Sequence, residues 1–388
     1  AGHSGQVAEM AGFRLPVEAV ALQALVSEPI KPCMDIVVMA NTVPFTRWQV
    51  HAGDTRLRIG IVSADLRRHP VGYFLHNWLA QFDASQLEMY AYSTDGREDV
   101  LSHDLKAYCN QWRSLAGLTD QQAARQIHDD GVHILLDLSG LTGGTRLPIF
   151  AWKPAPVQAT WLGYWATTGL PAMDYVIADP IIANAEVAAR FTEQVAYLPH
   201  TRMCFTAPEM DVPVNGLPAL SAGHVTFGCF QNYTKVNDAV LMLWGRIMQA
   251  LPEARLYWQC KAFNDAGTCE AALQRLQSFG IAAARCTLAG MTTREVYLHN
   301  HHQVDMILDT FPFTGGTTTC EALWMGVPTL TLPGDTMIAR QGASMLHCAG
   351  LDDWIADTAE QYVEKAIAFA GDTSALAALR QGLRTQVL

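Results

Sequence analysis

The sequence has little with which to hold a metal, a membrane or a nucleic acid. Nine cysteines lie at irregular spacing over 388 residues with no C-x-x-C pair, so neither a zinc-site spacing nor a disulfide framework is present. There is no G-x-x-x-x-G-K-S/T loop and no G-x-G-x-x-G fingerprint, and the ATPase and dinucleotide-binding readings therefore lack their motifs. Apolar runs stop well short of the roughly 18 residues that a membrane span needs, and the N-terminus shows no basic stretch leading into an apolar one. Positive charge is also scarce. With 26 Lys and Arg against 37 Asp and Glu, the formal charge of −11 argues against a general nucleic-acid-binding surface and confines any anion site to a local cluster. A reducing cytoplasm is the compartment these absences favour.

What is present is apolar sequence in quantity: half of the residues are hydrophobic, and the length favours two domains over one. Residues 6–26 carry apolar positions at helical spacing, broken by Gly12 and Pro16. From Leu57 the pattern becomes short apolar runs between helical stretches. LRIGIVS, LEMYAYS, HILLDLS, VQATWLG and DYVIAD read as strands, with helices expected over 71–82 and 120–130. A proline-rich passage, residues 206–223, reads as a linker, after which the alternation restarts with VTFGCF, RLYWQ, CTLAG, DMILD and PTLTLP as strands. A final helical region is expected over 361–388. The expected organisation is a helical segment over 1–50, one Rossmann-like domain over 51–215 and a second over 216–388. Ligands of such α/β pairs lie beyond the carboxyl ends of the strands.

Four stretches place polar groups at those ends. In DTFPFTGGTTTCEALWMG, a buried strand runs into a loop with Gly315 and Gly316, then into a helix that opens on Thr317 and Thr318. Glycine admits close approach of another molecule, and free N–H groups at the helix start form an anion site; a plain capped turn would use the same residue types. In GCFQNYTKV, Lys235 could neutralise phosphate oxygens, with Gln231 and Asn232 adding neutral hydrogen bonds, although a lysine after a strand is most often a solvated surface residue. In SADLRRHPVGYF, His69 stands before Pro70 at the carboxyl edge of the first strand and is a candidate general base for a hydroxyl group. In IHDDGVHILLDLSGLTGGTR, His128 and Asp137 accompany a Gly-rich turn, and His133 is expected to serve structure at the strand's start. The cluster His299, His301 and His302 does not suit a metal, because neighbouring helical residues point in different directions.

These blocks, together with KPAPVQATWLGYWATTGLPAMDYVIAD, resemble in order and spacing the catalytic region of the O-linked N-acetylglucosamine transferase family, glycosyltransferase family 41, including its bacterial and SPINDLY-like members. The resemblance runs from about Arg56 to the C-terminus. It implies a GT-B pair of Rossmann-like domains and inverting transfer of a sugar from a nucleotide-sugar donor, UDP-N-acetylglucosamine, to Ser or Thr hydroxyls of a protein. His69 matches a histidine beside the acceptor hydroxyl and His128 a second active-site histidine. Leu162 and Gly163 match a turn against the donor sugar. Lys235 matches the lysine that supports the leaving diphosphate, and Asn232 its accompanying amide. Thr317 and Thr318 match the pyrophosphate-binding threonines, and Glu321 a carboxylate on the ribose hydroxyls.

Departures from the family pattern concern the nucleotide. Tyr297 stands where some members have a histidine beside the uracil ring, Arg294 replaces a lysine, and Gly316 stands where a histidine precedes the threonine pair. Asp137 replaces an asparagine of animal members. The chain contains no Asp-x-Asp, the usual metal-holding motif of sugar transferases, so no metal or other cofactor is expected and the lysine and threonine turn would stabilise the leaving group. The expected partners are a UDP-sugar and a protein acceptor. The same fold using GDP-fucose or UDP-glucose, a nucleotide-sugar-binding scaffold without turnover, and an epimerase are the competing readings.

Overall fold

A computed structural model describes residues 56–387 apart from Trp165; the helical pattern expected over 6–26 and the segment 1–50 lie outside the described residues. The first unit alternates strand and helix: β1 (Leu57–Ser63), α1 (Pro70–Ala80), β2 (Leu87–Ser93), α2 (Val100–Lys106), β3 (Gln111–Ser114), α3 (Asp120–Asp129), β4 (Ile134–Asp137), α4 (Pro148–Ala151), β5 (Val157–Thr160), β6 (Tyr175–Ala178), α5 (Ala185–Ala188) and β7 (Gln194–Tyr197). Its seven strands are ordered β3-β2-β1-β4-β5-β6-β7. The second unit comprises α6 (Ala219–Ala222), β8 (Thr226–Cys229), α7 (Asp238–Ala250), β9 (Arg255–Gln259), α8 (Ala266–Ser278), β10 (Cys286–Ala289), α9 (Arg294–Asn300), β11 (Met306–Leu308), α10 (Thr317–Trp324), β12 (Thr329–Leu330), α11 (Met337–Cys348), α12 (Ala359–Gly371) and α13 (Thr373–Val387). Its five strands are ordered β10-β9-β8-β11-β12. Every pairing in both sheets is parallel.

Local sequence explains where the helices begin. Thr119 and Gln122 form a reciprocal capping box at α3, Asn237 caps α7, Asp265 caps α8, and Pro70 occupies the first turn of α1. The strands are buried because helices cover both faces: Ile61, Leu75 and Met89 pack on one side of the first sheet, Val62, Tyr92 and Leu135 on the other. Under the second sheet Phe227, Trp244, Trp258, Leu308, Leu330 and Tyr362 form one core.

In each sheet the chain reverses its direction of strand addition at one place, between β1 and β4 in the first and between β8 and β11 in the second. Loops leaving these four strands open the crevices where α/β folds bind ligands. They carry His69, the Gly140–Gly144 turn, Lys235 and the Thr317–Thr318 helix start respectively. The units are joined by specific contacts. Arg340 Nε donates to the Ile181 carbonyl at 2.7 Å, Arg190 Nη1 to the Asp335 carbonyl at 3.0 Å, and Ser344 Oγ to Asp179 Oδ2 at 2.8 Å. Leu162 and Trp161 of the first unit share an apolar cluster with Cys320 and Met345 of the second.

Three features differ from the sequence reading. The edge strands β3 and β7 are short and only partly buried, so they lack the apolar signature that marked the central strands. Helix α11 is buried at nine of its twelve residues, which removes the polar face by which helices are recognised. The final helical region is two helices, separated at Asp372.

Candidate active site

The threonine turn is shaped by a buried carboxylate. Asp309, at the end of β11, accepts from the N–H of Gly315 at 2.8 Å, from its own neighbour Thr310 N–H at 2.9 Å and from Thr331 Oγ1 at 2.8 Å. The loop thus folds back so that α10 starts after Gly316 with no side-chain cap; the Thr319 N–H donates to the Gly316 carbonyl at 3.0 Å, and the N–H groups of Thr317 and Thr318 are left to an external acceptor. At Gly315 a Cβ would come within 2.4 Å of Thr319 Oγ1 and 2.5 Å of Gln231 Nε2, so any larger residue must push these side chains aside. Burial pushes the Asp309 carboxyl up to about 6, against the Thr331 and Gly315 hydrogen bonds and the Lys235 charge, which pull it down.

Lys235 reaches this turn from β8. Its Nζ donates to Gln231 Oε1 at 3.0 Å, and Gln231 Nε2 donates to Thr318 Oγ1 at 2.6 Å. Thr318 therefore accepts from Gln231 and keeps its own O–H proton for a ligand. The ammonium also lies 3.6 Å from the Phe313 ring centroid. Burial lowers the Lys235 pKa to about 8, while Asp309 and Cys229 act to raise it. Asn237 Nδ2 bonds the Phe311 carbonyl at 2.6 Å and locks the two loops together. Asn232, exposed, opens the turn that carries Lys235.

Behind the turn, Glu321 is 3% exposed and lies 2.8 Å from Arg294 Nη1. Burial raises its carboxyl above the ordinary range, with Arg294 and Tyr297 opposing. The Arg294 guanidinium stacks 4.5 Å from the ring centroid of Tyr73 on α1, across the domain boundary. Glu321, expected to face a ribose, is instead covered by Arg294, which is the group presented beside Tyr73. The Tyr297 ring packs edge-on against Phe230 and His301. His301 is fully buried and stacked on Phe230 at 4.0 Å, whereas His299 and His302 meet edge-on with ring centroids 5.3 Å apart and bond main-chain carbonyls, so the three rings do not converge on one point.

On the first unit, His69 is the N-cap of α1. Its Nδ1 accepts from Val71 N–H at 3.3 Å and stands 3.6 Å from Asp65 Oδ2. Burial lowers its pKa below 6.5, with Asp65 acting to raise it and Arg67 to lower it further. Leu162 has a positive φ of 67°, and a Cβ on Gly163 would lie 2.4 Å from the Ser139 carbonyl carbon; this tight turn follows β5 and packs toward α10. Asp137 mirrors Asp309: at the end of β4 it accepts from the N–H groups of Ser139 and Gly140 and from Thr160 Oγ1, and burial pushes it up to about 6.

The structure brings Lys235, Gln231, Gly315, Gly316, Thr317 and Thr318 together, and sets Arg294, Tyr297 and Glu321 behind them. It does not bring His128 there. His128 lies in the last turn of α3, which leads into the amino end of β4, whereas His69 follows the carboxyl end of β1. Because β1 and β4 are parallel, the two histidines are at opposite edges of the sheet. His133 sits at the same amino edge, where its Nδ1 accepts from Arg58 N–H. Sequence reasoning missed Asp309, Phe313 and Tyr73. The readable signal for Asp309 was an acid ending an apolar strand before a glycine turn, repeated at Asp137.

Two parallel, doubly wound sheets whose switch points face a shared cleft define a GT-B architecture. A known GT-B enzyme, the lipopolysaccharide outer core galactosyltransferase WaaB, shares that fold at 13% identity with a TM-score of 0.52. The particular family follows from sequence: the model of glycosyl transferase family 41 matches residues 14–210 and 214–387, and the chain belongs to that family. It is 36% identical over 353 residues to the probable UDP-N-acetylglucosamine–peptide N-acetylglucosaminyltransferase SPINDLY of Solanum lycopersicum, covering 88% of this chain and 37% of that protein. The Arabidopsis thaliana counterpart is 34% identical over 349 residues, covering 88% and 38%. The chain thus spans little more than a third of these relatives. A mutant O-GlcNAc transferase of Thermobaculum terrenum superposes with a TM-score of 0.84 at 36% identity, covering 95% of this chain and 71% of that one.

Proposed function

We infer that the protein is an inverting glycosyltransferase that moves N-acetylglucosamine from UDP-N-acetylglucosamine to Ser or Thr hydroxyls of a protein, without a metal. The observation that carries this reading is the Lys235–Gln231–Thr318 chain at the uncapped start of α10. The acceptor oxygen attacks the anomeric carbon as the bond from that carbon to the diphosphate oxygen breaks. Negative charge develops on the departing diphosphate, where Lys235 and the helix start supply fixed positive potential. The names of the relatives support the donor and the peptide acceptor.

The hydroxyl proton must leave as well. With Nδ1 accepting from Val71, the neutral His69 ring carries its proton on Nε2 and acts on the acceptor as a donor. Moving that Nδ1 contact to Asp65 frees the Nε2 lone pair and makes His69 the base.

A specific observation keeps GDP-fucose as the second reading: Arg294 stands at the expected base subsite, and a guanidinium suits the paired acceptors of guanine. Calorimetry with UDP and GDP separates the two. UDP preference with metal-independent transfer supports the first; GDP preference replaces it, and strict dependence on added Mg²⁺ or Mn²⁺ refutes its metal-free mechanism.

A further inference from the structure

We propose that Asp309 is a positioning residue of the diphosphate site, acting through two partners at once: it folds the Gly315–Gly316 turn and serves as the counter-charge that keeps Lys235 an ammonium before the diphosphate arrives. The proposal rests on the reading of this turn as a diphosphate cradle and adds what prepares it. The turn-folding half follows from three hydrogen bonds to one carboxylate, from Gly315 N–H, Thr310 N–H and Thr331 Oγ1. The tyrosine hydroxyl of Tyr362 on α12 donates at 3.0 Å to the Asp309 carbonyl, fixing the residue's backbone.

The electrostatic half follows from a comparison within the molecule. Asp137 occupies the equivalent place in the first unit, also fully buried, also tied to a threonine of the neighbouring strand and to two N–H groups of a Gly-rich turn. Turn-folding therefore needs only a carboxylate with those partners. Asp309 differs in its surroundings: the Gly315 it holds at 2.8 Å stands directly against the Gln231 amide, whose Oε1 takes the Lys235 ammonium at 3.0 Å, so the carboxylate and the ammonium lie within electrostatic reach of each other. The other titratable groups facing the pair are the thiol of Cys229 at the end of β8 and the phenol of Tyr362; burial raises the pKa of both, which leaves them neutral at pH 7. Gln231 and Phe313, the direct contacts of Nζ, bear no net charge. Asp309 is thus the anion that opposes the burial of the ammonium, which otherwise draws Lys235 down to about 8. An uncharged lysine could meet the diphosphate only after taking up a proton, and affinity would then fall about tenfold per pH unit above its midpoint.

Asp309→Asn tests this, since the amide oxygen can still accept from the two N–H groups while the charge is gone. The titration of Lys235 is followed in ligand-free protein by NMR of selectively labelled lysine, and pyrophosphate affinity is measured by calorimetry from pH 5.5 to 8.5. Pyrophosphate reports the cradle whichever nucleoside completes the donor. The expected result is a Lys235 midpoint lower by about one pH unit or more, with affinity near wild type at pH 5.5, where Asp309 itself is protonated, and about tenfold weaker at pH 8. Asp137→Asn should leave the Lys235 titration unchanged. An unchanged Lys235 midpoint in folded D309N, an equal affinity loss at every pH, or no pyrophosphate binding by the wild type would overturn the proposal. If D309N does not fold, the wild type alone decides: the Lys235 resonance should show a second inflection near pH 6 as Asp309 ionises, and its absence overturns the assignment. Pyrophosphate binding with this pH behaviour but no binding of UDP or GDP would support the role of Asp309 and sink the nucleotide-sugar reading.

Discussion

Removing Lys235 should cost the enzyme its leaving-group stabilisation, and by an amount that depends on pH in a defined way. In Lys235→Ala the ammonium is lost, and Gln231 loses the donor that orients its amide toward Thr318. A preorganised donor at a site of developing charge is worth about 3 kcal/mol, or on the order of a hundredfold in rate. Because burial lowers the Lys235 pKa to about 8, the side chain is mostly charged at pH 7, half charged at pH 8 and mostly neutral at pH 9. The kcat/KM of the wild type, which reports the free enzyme, should therefore fall about tenfold between pH 7 and pH 9, whereas the variant has no such limb. The ratio of the two should be on the order of a hundredfold at pH 7 and about tenfold at pH 9. The assay is transfer from UDP-N-acetylglucosamine to a Ser/Thr peptide identified in a host lysate, with the melting temperature of the variant checked alongside. Normal turnover by the variant, or a constant ratio across this range, would refute the reasoning.

Gly315→Ala should keep its fold but lower donor affinity by about tenfold or more, because its methyl group would displace Gln231 Nε2 from Thr318; unchanged affinity would show that the chain of hydrogen bonds is dispensable. For Arg294→Ala, the buried Glu321 loses its ion pair and α1 its stacked cation, so stability should drop by about 2 kcal/mol and the donor KM rise while kcat changes less. An unaltered melting temperature and KM would remove Arg294 from the site. Protonation of His69, whose pKa burial holds below 6.5, should give the wild type an acid limb under pH 6.5, and His69→Ala should lose transfer while UDP binding stays largely intact. His128→Ala, at the far edge of the sheet, should retain transfer within about twofold; a large loss would place it back in the mechanism.

The fold was readable because central strands of parallel sheets are continuous apolar runs, as in LRIGIVS and RLYWQ, and because their loops end in glycine and threonine. Edge strands such as Gln111–Ser114 carry no such signal, being only partly buried. The glycine–threonine turn was legible for a related reason. Glycine at 315 and an uncapped helix start are local requirements, written within a few residues of each other. His128 illustrates the opposite case. Its stretch contains a Gly-rich turn that does lie at the carboxyl edge, but the four-residue strand β4 separates the two, and only the strand direction tells which end each occupies. Asp309 and Tyr73 were missed because their roles depend on partners distant in sequence, Lys235 and Arg294, which no spacing rule connects. The covering of Glu321 by Arg294 is likewise a tertiary fact, set where α9 packs on α10.

The most direct test of the account is transfer itself: purified protein, UDP-N-acetylglucosamine and host lysate, with EDTA present, followed by mass spectrometry of the acceptor peptides. N-acetylhexosamine on Ser or Thr, lost in Lys235→Ala, is the predicted result. Binding of UDP-N-acetylglucosamine without transfer to any protein, or transfer that disappears with EDTA and returns with Mg²⁺ or Mn²⁺, would contradict it.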